Sequence, residues 1–120
     1  MRLDRVCRIF RLEGAVNRVS GEVVEQRNYL EDGNLIKTTF RELSSNEKAE
    51  QKSANDIADA VFYFQPRNLD TQCFIEIHRA QYGNELYKVT GVDPFRDKAR
   101  SLYKVRAQRI NATDLVEGSV

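Results

Sequence analysis

The stretch CFIEIHRAQYGNELYKVTGV, residues 73–92, decides the fold class. In its first half, two isoleucines alternate with Glu76 and His78, which is the two-residue period of a half-buried strand. A second strand is predicted over residues 85–92. The connection between them, residues 81–84, contains Gly and Asn, which tolerate positive φ. The stretch therefore predicts an antiparallel β-hairpin.

Similar patterns recur along the rest of the chain. Runs rich in aromatic and β-branched residues are separated by turn signals such as Pro66 and Asp93-Pro94. The tetrapeptide Glu31-Asp32-Gly33-Asn34 predicts a further hairpin between the second and third strands. The predicted strands cover residues 6–12, 22–30, 35–41, 61–65, 73–79, 85–92 and 101–108. Six to seven short antiparallel strands favour an all-β fold, a small barrel that closes its own edges.

Residues 42–59, ELSSNEKAEQKSANDIAD, interrupt the β pattern. Ser44 and Glu47 have the spacing of a capping box, and the apolar stripe is thin, so a short helix or a long polar loop is predicted. We expect residues 1–110 to form one β-barrel domain and residues 111–120 to be a flexible C-terminal tail.

Composition excludes several classes of protein. Nineteen Lys and Arg against eighteen Asp and Glu leave a net charge of +1, so the chain lacks the overall basic excess of a generic nucleic-acid binder. No apolar stretch approaches the roughly 20 residues of a membrane span. Arg8 and Arg11 interrupt the apolar N-terminus, which argues against a secretory signal and favours synthesis in the cytoplasm. Cys7 and Cys73 are expected to be buried, reduced thiols.

The sequence offers little material for catalysis. His78 is the single histidine, and no nucleophile-elbow motif or glycine-rich phosphate loop occurs. Carboxylates that could act as acid–base pairs, namely Glu22, Glu25, Glu76 and Glu85, are expected to be solvated surface charges. We therefore expect no catalytic residues, no metal and no cofactor, and we expect that the protein is not an enzyme.

Charge is separated along the chain. The acids Glu42, Glu47, Glu50, Asp56 and Asp59 outnumber Lys48 and Lys52 within residues 42–59. The stretch 96–109 carries Arg96, Lys98, Arg100, Lys104, Arg106 and Arg109 against Asp97 alone. Such separation suits head-to-tail contacts in which a basic surface of one subunit meets an acidic surface of the next.

The order of these features resembles the siphophage head–tail joining family, the head-closure or stopper proteins. The resemblance begins with Arg5-Val6-Cys7-Arg8-Ile9 and Ser20-Gly21-Glu22-Val23, and it is densest over residues 60–109. There the hairpin ELYKVTGVDPFRD precedes a closing strand, SLYKVRAQRI. The positions that match the family's hairpin are Gly83, Tyr87, Val89, Val92 and Asp93. The chain lacks the family's usual Trp, for which Tyr29 or Phe40 are the candidate replacements.

The resemblance implies a virion protein that forms a ring in the phage neck, below the portal and adaptor and above the tail terminator or tail tube. Such a ring retains the packaged DNA, and non-specific contact with double-stranded DNA in the channel is expected. The long polar segment becomes a candidate channel loop or inter-subunit arm, with Ser44, Glu47, Lys48, Glu50, Lys52 and Asp56 as its residues. The candidate basic interface consists of the six cations between residues 96 and 109. No contact with a membrane is expected.

Three alternatives remain open from the sequence. A tail terminator or adaptor of the same connector would also be a small ring-forming subunit. A barrel of the OB type would bind single-stranded nucleic acid and would do so in a salt-dependent way. An enzyme would need an active site built around His78.

Overall fold

A computed structural model of the chain describes residues 2–16, 23–49, 58–79 and 83–111. Most of these residues belong to β-strands, which confirms the all-β prediction. The strands are β1 (Arg5–Val16), β2 (Val23–Tyr29), β3 (Ile36–Glu42), β4 (Ala60–Phe64), β5 (Cys73–Arg79), β6 (Gly83–Asp97) and β7 (Arg100–Ile110). Helix within these ranges is limited to a tight turn at Leu30–Gly33 and the five-residue helix α1 at Ser45–Ala49.

Six strands close into an antiparallel barrel. Their order around the barrel is β1-β3-β4-β7-β6-β5, and pairing of β1 with β5 completes the circle. β2 is an additional strand that pairs with the second half of β1, from Phe10 to Val16. Closure satisfies the backbone groups on both edges of the six strands wherever both neighbours are present.

The barrel interior is filled by alternate residues of each strand. Phe62 lies near its centre, with its ring centroid 5.3 Å from Tyr87 and 5.2 Å from Phe40. Cys7 and Cys73 are buried and unpaired, as predicted. The buried cluster consists of Cys7, Ile9, Ile36, Ala60, Phe62, Phe64, Cys73, Ile75, Ile77, Tyr87, Val89, Val105 and Ala107.

A second apolar cluster lies outside the barrel wall. Phe10 points away from the interior, yet it is fully buried, because the rings of Phe74 and Tyr29 lie 5.2 and 5.4 Å from it. The guanidinium of Arg27 covers the ring of Phe10 at 4.6 Å, and the amine of Lys88 covers the ring of Phe74 at the same distance. Stacked rings under cationic side chains therefore fix β2 and β5 on either side of β1.

The hairpin predicted at residues 31–34 is wrong. At Cys7 the two neighbours of β1 are β3 and β5, and at Phe10 they are β2 and β5, so β2 and β3 lie end to end along one edge of β1. The turn that joins them has positive φ at Glu31, Asp32 and Gly33. Asp-Gly therefore does mark a turn here. The chain keeps its direction through the turn, however, because β2 and β3 both run antiparallel to β1 along the same edge.

The turn predicted at Asp93-Pro94 is also wrong. β6 continues through both residues to Asp97 and pairs with β7 throughout, and the reversal falls at residues 98–99. Beyond Lys88, β6 has no pairing with β5. Proline is tolerated in this part of the strand because one edge is open. β6 is consequently longer than predicted, and β1 and β7 also extend beyond their predicted bounds.

Two hairpin extensions leave the same end of the barrel. β1 and β6 both run antiparallel to β5, which lies between them, and both continue past its first residue, Cys73. One extension is formed by β1 with β2. The other, which we call the β6–β7 arm, consists of residues 93–104. The opposite end of the barrel carries the connection from β3 through α1 to β4.

Candidate functional site

The β6–β7 arm is a two-stranded ribbon that extends beyond the barrel wall. Its strands pair from Asp93↔Lys104 to Asp97↔Arg100, whereas β4 pairs with β7 only from Tyr103 onwards. Lys98 forms the reversal with φ of 56°. The base of the arm is fixed to the barrel by the ring of Phe95, whose centroid lies 4.9 Å from that of Tyr63 on β4.

The cations of the predicted basic interface do not form one surface. Arg109 lies at the opposite end of the barrel from the arm, 3.4 Å from Glu85. Arg106 is 3.2 Å from Asp93, and Arg100 is 3.5 Å from Asp97. Asp93 and Glu85 precede the stretch 96–109 in sequence, so a count of charges within that stretch missed them. The pairing of β6 with β7 brings Asp93 close to Arg106 and Glu85 close to Arg109, and a pattern within either strand alone does not predict these contacts.

Three cations of the set remain without a partner among the described residues. Arg96 and Lys98 are exposed near the arm's tip, and Lys104 is half-buried at its base. Arg96 is opposite Ser101 across the ribbon, and Lys104 is opposite Asp93. Because side chains alternate along a strand, residues 96 and 93 of β6 face opposite sides, and Arg96 and Lys104 therefore lie on different faces of the ribbon. The arm therefore displays cationic groups on both faces and at its tip.

The polar segment, residues 42–59, leaves the end of the barrel that is opposite the arm. Its capping box is confirmed: the Glu47 amide donates to Ser44 Oγ at 3.2 Å, and the Ser44 amide donates to Glu47 Oε1 at 3.1 Å. Arg41 donates to both oxygens of the Glu47 carboxylate, at 2.9 and 3.0 Å. The predicted loop residues Glu50, Lys52 and Asp56 lie outside the described residues.

The base of this segment is closed by backbone and side-chain contacts. The Leu43 amide donates to the Asp59 carbonyl at 2.9 Å, so the chain leaves the barrel and returns to it at neighbouring points. Lys48 lies 3.2 Å from the Asp59 carboxylate. Glu47 is thus paired with Arg41 of β3 and Asp59 with Lys48 of the segment, which lowers the negative charge available to a neighbouring subunit.

A polar cleft of about 310 Å³ lies on the wall near the same end. Glu85, which was expected to be solvated, is buried, and its carboxylate accepts a hydrogen bond from Tyr87 Oη at 2.9 Å. Burial, followed by this hydrogen bond, raises the pKa of Tyr87 well above its usual range. The Glu85 side chain is 2% exposed, and its carboxylate lies 3.4 Å from Arg109. The expectation of a solvated charge was wrong because residues 85, 87 and 89 share one face of β6, and Glu85 is buried on that face together with Tyr87 and Val89.

Glu76 was also expected to be solvated, and it too is largely covered. Its side chain is 14% exposed, and its carboxylate accepts a hydrogen bond from Arg27 at 2.9 Å. Arg27 reaches it across the ring of Phe10. Glu76 therefore holds in place the cation that covers the outer aromatic cluster.

His78 lies exposed on the outer wall, with Nδ1 3.0 Å from Asn84 Oδ1. The side chains of Glu22 and Glu25 lie outside what the structure describes. Within the described ranges, no three His, Cys, Asp or Glu side chains are grouped closely enough to hold a metal ion. No described helix is long and apolar enough to cross a membrane.

Comparisons with known proteins bear on the fold. The sequence matches no protein-family model and no curated protein sequence. Among solved structures, the chain is similar to the solution structure of protein SF1141 from Shigella flexneri 2a, a Northeast structural genomics consortium target. The TM-score is 0.63 at 19% sequence identity, and the match covers 98% of this chain and 95% of that one. At this identity the likeness shows a shared fold and no more.

Proposed function

We propose that this chain is a structural protein of a tailed-phage neck, a head–tail joining subunit that forms a ring between the portal–adaptor complex and the tail. The proposal combines the sequence resemblance to head-closure proteins with the closed β-barrel that the resemblance implied. In this role the protein closes the DNA-filled head and offers a docking face to the tail.

One observation carries the proposal: the barrel has unlike extensions at its two ends. A ring between a head and a tail must contact different proteins above and below, so its subunits need two different surfaces. Here one end bears two hairpin extensions, and the other bears the polar segment with α1. The two ends of one barrel can thus serve two partners.

The polar segment is the proposed channel loop or inter-subunit arm. Its base is closed by the Leu43–Asp59 hydrogen bond, which holds together the points where the segment leaves the barrel and returns to it. The segment can therefore adapt to a neighbour without disturbing the barrel. Of its proposed contact residues, Ser44, Glu47 and Lys48 lie within the described structure, and the side chains of Glu47 and Lys48 are 41% and 47% exposed.

Multi-angle light scattering tests the proposal. The purified protein is measured alone, with DNA-filled, portal-bearing heads that lack it, and with isolated tails. We expect a low-mass species alone, binding in ring stoichiometry to the heads, and tail attachment only to heads that have bound it. Binding to tails and not to heads would make the chain a tail terminator. Indifference to both would overturn the proposal.

A further inference from the structure

We propose that the β6–β7 arm binds the phosphate backbone of double-stranded DNA without sequence preference. The inference deepens the proposed function, on which it rests for its biological setting, because a protein that closes a filled head lies next to DNA. The contact residues are Arg96 and Lys98 near the tip, with Lys104 at the base.

The arm carries positive charge that no acid among the described residues neutralises. Arg96 and Lys98 are exposed and pair with no acid among the described residues, unlike Arg106 with Asp93 and Arg100 with Asp97. Exposed cations that are not neutralised locally can replace the counterions condensed on DNA phosphates, and release of those counterions drives binding.

The shape of the arm also fits DNA. The major groove of B-DNA, about 12 Å wide, admits a two-stranded β-ribbon. A ribbon in the groove has a phosphate strand on either side. Because Arg96 and Lys104 occupy opposite faces of the arm, the cations can reach both strands.

The chemistry of the tip separates DNA from a protein partner. Residues 96–101 are Arg-Asp-Lys-Ala-Arg-Ser, and they include no aromatic or large aliphatic side chain. Protein interfaces draw their energy from buried Trp, Tyr and other large anchors, which this tip lacks. Phosphate contacts need cations and small polar groups, which it has.

The arm is held in position by its attachment to the barrel. β6 and β7 pass from the barrel wall into the arm with one register shift, between Val89 and Gly91, and that shift lies below the arm. The Phe95–Tyr63 ring contact holds its base. A pre-positioned arm loses little conformational entropy on binding.

The test measures binding of the full-length protein to random-sequence duplex DNA over a series of salt concentrations. The variant Arg96→Gln/Lys98→Gln removes two charges and leaves the wall intact. The matched control is Arg5→Gln/Lys37→Gln, which removes two exposed cations, on β1 and β3, that have no partner among the described residues. Wild-type binding should weaken as salt rises, and Arg96→Gln/Lys98→Gln should reduce the magnitude of the log–log slope by about two.

For the control we expect the wild-type slope. Equal losses in Arg96→Gln/Lys98→Gln and in Arg5→Gln/Lys37→Gln would overturn the inference, because binding would then follow net charge. Absence of DNA binding by the wild-type protein would also overturn it, and loss of head binding in Arg96→Gln/Lys98→Gln would then assign the arm to a protein partner. Naked DNA and isolated protein are used, so the result is independent of whether the chain joins heads to tails.

Discussion

The guanidinium of Arg106 lies against the α-carbon of Gly91 on the neighbouring strand. A β-carbon at residue 91 would be 2.3 Å from Nη2 of Arg106 and 2.8 Å from its Cζ. The contact occurs at the register shift of the β6–β7 pair, and the guanidinium continues to Asp93 at 3.2 Å. Glycine at this position thus allows Arg106 to lie flat across β6.

We expect Gly91→Ala to displace the Arg106 side chain, break its contact with Asp93 and lower the free energy of unfolding by about 1–2 kcal/mol. Chemical denaturation measures the loss. In an Arg106→Ala background the same substitution should cost much less, because the clash is gone. Equal costs in the two backgrounds would show that the contact is not the cause.

Tyr87→Phe should lower the free energy of unfolding by about 1–3 kcal/mol, because the buried Glu85 carboxylate loses a hydrogen-bond donor. The matched control is Tyr63→Phe, since the Tyr63 hydroxyl makes no hydrogen bond with the described residues, and it should have little effect. Urea denaturation of both variants gives the comparison. If both substitutions cost the same, the Tyr87–Glu85 hydrogen bond contributes nothing specific.

The capping box should make α1 sensitive to acid. Hydrogen bonding from the Ser44 amide, and then from Arg41, holds the pKa of Glu47 below its usual range. A depressed pKa stabilises the helix above the carboxyl's unfolded pKa, about 4.3, and the stabilisation is lost as pH falls through the folded value. Cα chemical shifts of residues 45–49 should become less helical over that interval. In Glu47→Gln they should start less helical and change little.

Neither cysteine should react in the folded protein. Burial raises the pKa of Cys7 to about 12 and also raises that of Cys73, so thiolate is scarce at pH 8 and access is blocked. Mass spectrometry after iodoacetamide treatment should find no adduct in the native state and two in denaturant. Rapid native labelling of either thiol would contradict the buried positions.

Deletion of residues 44–56 should leave a folded barrel that no longer completes heads. The Leu43 amide and the Asp59 carbonyl already meet, so the remaining chain can bridge the gap. Amide chemical-shift dispersion of the purified variant tests the fold, and binding to DNA-filled heads tests the function. Loss of the folded monomer would show that the polar segment supports the barrel.

Much of this fold was accessible from the sequence where the information is local. The period in residues 73–79 gave β5 to the residue, and the Ser44–Glu47 spacing predicted the cap. Strand partners are a different matter. Asp32-Gly33 marks a turn in either case, and only the long β1 makes β2 and β3 lie end to end along it.

The candidate site shows the same division. The cations of the arm are evident in the sequence, but their neutralisation depends on pairs such as Arg106 with Asp93, which β-pairing brings together. Pro94 was read as a turn because proline breaks most central strands. It lies within β6 because that part of the strand has an open edge, which no local pattern reports.

The continuity of β6 and β7 from barrel to arm has a mechanical consequence. The same two strands carry the arm's tip at one end and the Glu85–Arg109 pair at the other. Because both strands run continuously from the arm into the barrel, a pull on the tip puts both under tension and loads their hydrogen bonds to β5 and β4 in shear, many at once. The barrel wall can therefore transmit tension from the arm along its own strands.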